Sequence, residues 1–163
     1  MPEIRAARRE DAAGIAAIWN DVIRNTPRTF NSVEKTVAEI EALIAARQSG
    51  ADRFFVATID GKVVGFVTSG PFRSGIGYAH TREHTIHMLP EARGRGLGKR
   101  LMSQIEQTAR EAGVHSMFAG VSGENPEGVD FHRKLGYREA ARLREVGYKY
   151  RRWFDLVLLQ KFL

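Results

Sequence analysis

The segment from Arg93 to Lys99 holds the residues best suited to bind a phosphate group. Glycines occupy the alternate positions 94, 96 and 98, and a predicted amphipathic helix follows. Glycines let the backbone turn tightly with successive N–H groups pointing inward, and the positive end of a helix dipole attracts anions. Arg93, Arg95, Lys99 and Arg100 add formal positive charge. The segment therefore predicts a site for a small polyanion.

Two common phosphate-binding patterns do not fit this segment. A Walker loop needs Gly five residues before the Gly-Lys pair and Ser or Thr after it, whereas Arg93 and Arg100 stand there; a dinucleotide loop needs GxGxxG, and the spacing is GxGxG. The pattern Arg-x-x-Gly-x-Gly, between an apolar strand and an amphipathic helix, resembles the acyl-CoA loop of the GNAT superfamily of N-acetyltransferases. In that superfamily the loop amides hold the CoA pyrophosphate. A glycine turn with a solvated basic rim is the alternative interpretation.

Composition narrows the class of protein. The 163 residues predict one domain, 1–163, that buries roughly 70% of its unfolded surface. The absence of cysteine excludes disulfides, thiol catalysis and thiolate metal sites, and favours a reducing cytoplasm. No apolar run approaches about 18 residues and no signal-peptide core is visible, so we expect a soluble, cytoplasmic protein without membrane association.

The net charge of +6 raises the question of nucleic-acid binding. The basic residues are interleaved with 19 acidic ones, without a basic tail or an aromatic-basic array. The local basic excess around the glycine loop and near 148–152 suits a small polyanion such as CoA better. We therefore expect no nucleic-acid partner.

Periodicity and turn residues predict an α/β chain. The predicted order begins with a strand (4–7), a helix capped by Asp11, and a helix opened by a capping box at Thr36 and ended by Gly50. Two hairpin strands (54–59 and 63–68) around Asp60-Gly61 and a third strand (82–89) follow. The rest of the chain is predicted as a helix (97–112), a strand (116–121), a helix opened by Asn125, and strands 137–146 and 153–160. This is the order expected of the GNAT fold, a single mixed, mostly antiparallel sheet flanked by helices.

Acetyl transfer to an amine needs a grip on CoA, a group that removes a proton from the ammonium, and a proton for the departing thiolate. In the GNAT fold the strand before the loop splays from the next strand, and its backbone, here Ile86, His87 and Met88, pairs with the pantetheine arm. Glu83, at the start of that strand, is the candidate base, acting directly or through water. A free Glu titrates near about 4.3 and an α-ammonium near about 8, so burial must shift one of them. An exposed glutamate at a strand end is the alternative.

His132 is the second candidate for proton transfer. In many GNAT enzymes the helix opened by the CoA-contacting Asn carries, seven residues on, a Tyr thought to protonate the thiolate. Counting seven residues from Asn125 reaches His132. A histidine with a pKa near about 6.5 can act as acid or base or position the substrate, and a structural histidine remains open.

Two other site classes are rejected. His80, His84 and His87 suggest a metal site, but strand alternation sends His84 and His87 to opposite faces and no Asp or Cys completes the ligands. No GxSxG motif supports a Ser/His/Asp hydrolase.

A closer resemblance spans the chain from Ile4 onwards. It rests on the segments Glu83-His-Thr-Ile-His87, 93–98, Asn125, His132-Arg-Lys-Leu-Gly-Tyr137 and 143–159, the last containing V-G-Y-K-Y-R-R-W-F-D-L. Together these resemble the phosphinothricin and methionine sulfoximine acetyltransferases. The resemblance implies acetyl-CoA-dependent N-acetylation of a small amino-acid-like substrate, with Glu83 as the catalytic carboxylate.

The resemblance also implies the binding residues. The cofactor would meet Ile86, His87, Met88, Arg93, Gly94, Arg95, Gly96, Leu97, Gly98, Lys99 and Asn125. The substrate would meet Phe30, Arg73, Ile76, Gly77, Tyr78, Glu83 and Lys149. An arginine such as Arg73 suits a carboxylate or phosphinate because its fork grips two oxygens. Members of the family are typically homodimers, with the C-terminal strands near the partner.

Departures from the family pattern leave other functions open. His87 stands where relatives usually carry Tyr, and the loop at 75–77 is lean, so the pocket shape is predicted to differ.

An acetyltransferase for protein N-termini or lysines would show an open acidic groove. A non-catalytic acyl-CoA sensor would lack a base.

Overall fold

The computed structural model describes residues 1–163. The elements are β1 (Pro2–Ala6), α1 (Ala12–Asn25), α2 (Val37–Ala46), β2 (Phe55–Ile59), β3 (Lys62–Pro71), β4 (Thr81–Met88), α3 (Leu97–Glu111), β5 (Ser116–Ser122), α4 (Pro126–Lys134), β6 (Arg138–Lys149) and β7 (Arg152–Phe162). Short 3-10 turns join some of them. The predicted order of strands and helices is confirmed.

All seven strands form one sheet in the order β1-β2-β3-β4-β5-β7-β6. Every neighbouring pair is antiparallel except β4 and β5, which run parallel because α3 crosses between them. The prediction of a single mixed, mostly antiparallel sheet is therefore confirmed. The parallel pair lies in the middle of the sheet.

Apolar residues form a core on each face of the sheet. The larger cluster includes Leu101 and Ile105 of α3, with Val129 and Phe131 of α4 packed against it. The smaller cluster joins α1 and α2 to β2 and β3. The helices therefore cover both faces, and no helix is both long and apolar enough to span a membrane.

The Asp60-Gly61 turn joins β2 and β3 as predicted. Both residues have positive φ, 50° and 80°, as a tight hairpin turn that matches strand twist requires. Glycine at 61 adopts this conformation without a Cβ penalty.

One predicted helix cap and one predicted helix end differ from the structure. Asp11 precedes α1, but its side chain makes no cap bond to that helix. Its carboxylate instead accepts hydrogen bonds from the Arg5 guanidinium, at 2.7 and 2.9 Å, and from the Arg8 amide. Helix α2 ends at Ala46 rather than at Gly50, because Arg47 already leaves helical φ and ψ.

Candidate active site

Strands β4 and β5 separate in the middle of the sheet. They pair from Thr81 only as far as His84, which lies opposite Ala119. Beyond that point β4 continues to Met88 beside β3, and β5 continues to Ser122 beside β7. The facing edges of these segments have no strand partner, so an extended ligand can hydrogen-bond to their backbone groups.

A cavity of about 710 Å³ occupies this gap. Its walls are β4 from Glu83 to Met88, the glycine loop, β5 from residue 119 to 122, the start of α4 and the α1–α2 connection. The volume falls within the range of roughly 300–1,000 Å³ typical of small-molecule sites. Glu83, His132 and every predicted cofactor residue except Arg95 line this one cavity.

The glycine loop forms the anion-binding end of the cavity. Gly94 and Gly96 both have φ of 74°, in the left-handed region that favours glycine. Gly96 is the N-cap residue of α3, and the first intrahelical amide to bond back is that of Arg100, 3.1 Å from the Gly96 oxygen. The N–H groups of Leu97 to Lys99 therefore have no helical acceptor and remain free for a ligand.

The first turns of α3 and α4 meet across the cavity. A Cβ on Gly98 would lie 3.1 Å from Phe131 Cε2 and 3.4 Å from Met88 Sδ, so glycine permits this close approach. Asn125 caps α4 as predicted, since its Oδ1 accepts a hydrogen bond from the Gly128 amide at 3.0 Å. Asn125 also lines the cavity.

Glu83 is a half-buried carboxylate without a hydrogen-bonding or ionic partner. It lines the cavity, and burial alone raises its pKa above the ordinary value. A carboxyl group with a raised pKa holds a proton more readily near neutral pH, as a general base requires. Partial burial thus shifts the pKa of Glu83 in the expected direction, while its catalytic role stays a prediction.

His132 has both ring nitrogens engaged. Its Nδ1 lies 2.7 Å from the Gly128 carbonyl oxygen, and its Nε2 lies 2.8 Å from Nε2 of His84. Both histidines are buried, and burial lowers the pKa of each below the ordinary value. While this pair is intact, neither nitrogen of His132 is free to protonate a thiolate, so its predicted acid role requires the pair to open.

His87 lies on the opposite face of β4, as strand alternation predicts. Its ring packs against Phe66 at 5.7 Å and Trp19 at 6.4 Å between centroids. Burial, together with the nearby charges of Arg28 and Arg93, lowers the pKa of His87 to about 4. His87 is therefore neutral near pH 7 and forms an uncharged part of the cavity wall.

The predicted substrate residues are not all brought together. Phe30 lines the cavity and stacks on Phe154, with 5.6 Å between ring centroids. Four others lie outside the cavity lining, in the exposed β3–β4 connection, namely Arg73, Ile76, Gly77 and Tyr78. Direct contact of these four with a substrate stays a prediction that the arrangement within one chain does not support.

Lys149 is buried away from the cavity. Its Nζ donates to the backbone oxygens of Ile23, Thr26 and Thr29 at 2.6, 2.8 and 3.0 Å. All three protons of the ammonium are thus used. Lys149 ties the end of β6 to the segment that carries Phe30, so it supports the cavity wall instead of lining it.

Sequence reasoning missed Arg28 and the His84 pairing. Arg28 lines the cavity near Arg93, and their proximity contributes to lowering the pKa of Arg93, after burial. The only anionic neighbour of Arg28 is the exposed Glu127, at 3.9 Å. No periodic or motif signal marks Arg28, because it lies in an irregular connection.

The profile of the Acetyltransferase (GNAT) family matches residues 15–137. The chain belongs to the GNAT acetyltransferase family. It is an acyltransferase with the fold that the loop, the splayed strands and the Asn-capped helix predicted. No group of three or more His, Cys, Asp and Glu side chains is placed to hold a metal ion.

Relatives of this acetyltransferase extend over nearly its whole length. It is 34% identical to the L-amino acid N-acyltransferase MnaT of Escherichia coli, over 96% of this chain and 91% of the relative. It is 33% identical to an L-methionine sulfoximine/L-methionine sulfone acetyltransferase of Salmonella typhimurium, over 96% and 92%. The resemblance found in the sequence is thereby confirmed.

Solved structures of similar proteins share the fold. An acetyltransferase from Salmonella typhimurium, solved with its cofactor acetyl-CoA, superimposes with a TM-score of 0.95 at 32% identity, covering 100% of this chain and 94% of that one. A ribosomal-protein-alanine N-acetyltransferase from Brucella melitensis gives a TM-score of 0.93 at 34% identity, covering 99% of each chain.

Proposed function

We propose that this acetyltransferase transfers the acetyl group of acetyl-CoA to the amino group of small amino-acid-like substrates such as methionine sulfoximine, methionine sulfone or phosphinothricin. The observation that carries the proposal is the half-buried Glu83, without an ionic partner, in a cavity formed where β4 and β5 separate. The amino-acid specificity of its relatives from Escherichia coli and Salmonella typhimurium supports the substrate class.

Acetyl-CoA would lie in the gap between the two strands. The free backbone edge of β4 from Thr85 to Met88 suits the pantetheine arm, and the amides of 97–99 suit the pyrophosphate. Arg93 and Lys99 supply positive charge at the same wall. Asn125, at the start of α4, offers its side-chain amide to the arm from the opposite side.

Glu83 would remove one proton from the substrate ammonium, directly or through a water. The freed nitrogen lone pair then forms a bond to the thioester carbonyl carbon. The nitrogen loses its second proton as the C–S electron pair leaves with the CoA sulfur, and the sulfur takes up that proton. Because burial raises the pKa of Glu83, its affinity for the proton approaches that of the ammonium and the transfer becomes less unfavourable.

The test is thiol release from acetyl-CoA with methionine sulfoximine, methionine sulfone, phosphinothricin, free methionine and a lysine-containing peptide. We expect turnover with methionine sulfoximine, methionine sulfone and phosphinothricin, and no turnover with the peptide. The variant E83Q, which retains shape but loses the base, serves as the matched control. Silence on every amino acid would contradict the proposal.

Acetylation of a protein N-terminus is the second candidate. It is favoured by one observation, the high similarity to the Brucella melitensis structure described as a ribosomal-protein-alanine N-acetyltransferase. A peptide beginning with alanine belongs in the same panel, and its turnover in the absence of amino-acid turnover would favour this candidate.

We further propose that the chain acts as a homodimer in the cytoplasm. Support comes from the exposed apolar residues on the β6–β7 hairpin, where Val146, Tyr148 and Trp153 are each more than half exposed. Light scattering coupled to gel filtration should give twice the chain mass, and V146D should reduce it. A wild-type monomer at micromolar concentration would contradict the dimer.

A further inference from the structure

The bond between His84 and His132 fixes where the protons lie. A carbonyl oxygen only accepts, so Nδ1 of His132, 2.7 Å from the Gly128 oxygen, carries a proton. A neutral His132 then presents a lone pair at Nε2. The contact of 2.8 Å between the two Nε2 atoms needs one proton, which must come from His84.

The surroundings of the pair keep it neutral. Both rings are nearly inaccessible to solvent, at 6% for His84 and 5% for His132. The Tyr137 ring lies edge-on to both, 5.6 and 5.3 Å between centroids, and the Phe131 ring lies edge-on to His132 at 5.0 Å. Burial lowers the pKa of each histidine, and the proximity of His132 lowers that of His84 further.

The remaining nitrogen of His84 agrees with this assignment. His84 Nδ1 is buried and makes no hydrogen bond of normal geometry, and the nearby Phe118 backbone, which by itself raises the pKa of His84, is outweighed by burial and by His132. If Nε2 of His84 carries the proton, Nδ1 is a bare acceptor. Nδ1 would be a buried, unused N–H donor in the other tautomer, which would also leave two lone pairs facing each other at 2.8 Å.

We propose that His84 is a positioning residue for the acetyl transfer: its Nε2–H donates to His132 Nε2, fixes the orientation of the His132 ring and ties α4 to β4 where β5 departs. The catalytic part of this proposal rests on the proposed function. The tie itself is a property of the folded chain.

The position of the tie explains its effect on the cavity. His84 is the last residue of β4 paired with β5, and the Gly128 oxygen that holds His132 belongs to the first turns of α4. These turns carry Asn125 and Phe131, which line the cavity opposite β4. The hydrogen bond between His84 and His132 therefore sets the distance between β4 and the start of α4, the two walls that would contact the cofactor arm. Both ring nitrogens of His132 are used in this connection.

The first test is the tautomeric state of the histidines in the wild-type protein. Long-range ¹H–¹⁵N correlation spectra of histidine-labelled protein distinguish protonated from bare ring nitrogens, and H84Q and H132N assign the signals. We expect a protonated Nδ1 on His132 and a protonated Nε2 on His84. A protonated Nε2 on His132, or protons on both Nδ1 atoms with a shared Nε2 proton, would overturn the proposal.

The second test separates positioning from folding. Gln places an N–H donor near the position of His Nε2, so H84Q should keep the Nδ1-protonated form of His132 and most of kcat. H84L lacks the donor, so it should shift the Nε2 signal of His132 and lower kcat about tenfold, as the loss of one buried hydrogen bond predicts. The exposed-site variant H115L controls for loss of a histidine.

An unchanged His132 Nε2 signal and equal kcat in H84L and the wild type would show that His84 positions nothing. Loss of kcat in H84Q equal to that in H84L, with both proteins folded, would likewise contradict the donor role. If the wild type acetylates no amino acid, only the proposed function fails, because the ring nitrogens report on the tie without any substrate.

Discussion

The carboxylate of Glu83 packs directly against the backbone of Gly120: a Cβ on residue 120 would lie 2.7 Å from Glu83 Oε1. Gly120 lies on β5 just beyond the point where β4 and β5 separate. Glycine at 120 thus leaves room for the carboxylate to lie in the gap. The proposed base and the strand separation are therefore geometrically linked.

Gly120→Ala should displace the Glu83 carboxylate and lower kcat by about 10- to 100-fold, because a base that is misplaced loses much of its contribution. The KM for acetyl-CoA should change little. Gly70→Ala is the matched control, since Gly70 pairs with Glu83 across β3 and β4, yet an added Cβ meets only Arg47 Nη2 at 3.8 Å. Equal kcat in the two variants would show that Gly120 does not position the base.

Glu83→Gln should lower kcat about 100-fold or more while acetyl-CoA affinity stays near that of the wild type. The wild-type kcat/KM should rise with pH through the raised pKa of Glu83, because only the deprotonated carboxylate accepts a proton. The pH profile of E83Q should lack this rise in kcat/KM. A parallel loss of turnover and acetyl-CoA affinity would mean that Glu83 is structural.

The free energy of unfolding should fall as the pH rises through the raised pKa of Glu83, whereas kcat/KM should rise over the same range. The folded chain holds this proton more tightly than the unfolded chain, whose pKa is near 4.5. The stability contributed by the protonated group is complete below that value and is lost as the pH rises through the raised pKa. E83Q should therefore gain melting temperature relative to the wild type across that pH window, and a constant difference would contradict the raised pKa.

Arg28→Ala should raise the KM for acetyl-CoA several-fold with a smaller effect on kcat. Arg28 and Arg93 line the same cavity and repel each other, and an anionic cofactor relieves that repulsion. The KM of the wild type should also rise more steeply with salt than that of R28A. Arg9→Ala removes an exposed arginine elsewhere and is the control. A selective rise in the KM of the amino acid would instead assign Arg28 to the substrate carboxylate.

Gly147→Ala should alter the amino-acid pocket through Phe30. The Phe30 ring lies on Gly147, and a Cβ there would be 2.6 Å from Phe30 Cγ. The ring must move, so we expect a several-fold rise in the KM of the amino acid and a changed ranking of substrates. Unchanged ranking across the panel would show that Phe30 does not shape the pocket.

The sequence predicts most of the site wherever the signal is local. The glycine loop, the Asn125 cap and the hairpin turn each depend on residues within one or two turns of the chain, so backbone rules suffice. Strand alternation correctly separates His84 from His87. The partner of His84, however, is 48 residues away in the chain, and only the packing of α4 on the sheet brings them together.

The same reasoning explains the misplacement of Lys149. Its place within the family's tail motif implied a substrate contact, whereas its ammonium donates to three backbone oxygens, each more than 100 residues earlier in the chain. Such contacts between irregular segments carry no periodic signal. The sequence did not identify Arg28 as a cavity residue for the same reason.

Lys149→Met should therefore destabilise the protein before it affects chemistry. It leaves three backbone oxygens without their donor, at a cost of about 1–3 kcal/mol in the free energy of unfolding. Lys149→Arg retains a cation that can donate to some of them and should recover part of the loss. Denaturant unfolding measures both, and amino-acid KM reports on the Phe30 segment. An unchanged unfolding free energy in K149M, with kcat strongly reduced, would return Lys149 to the catalytic site.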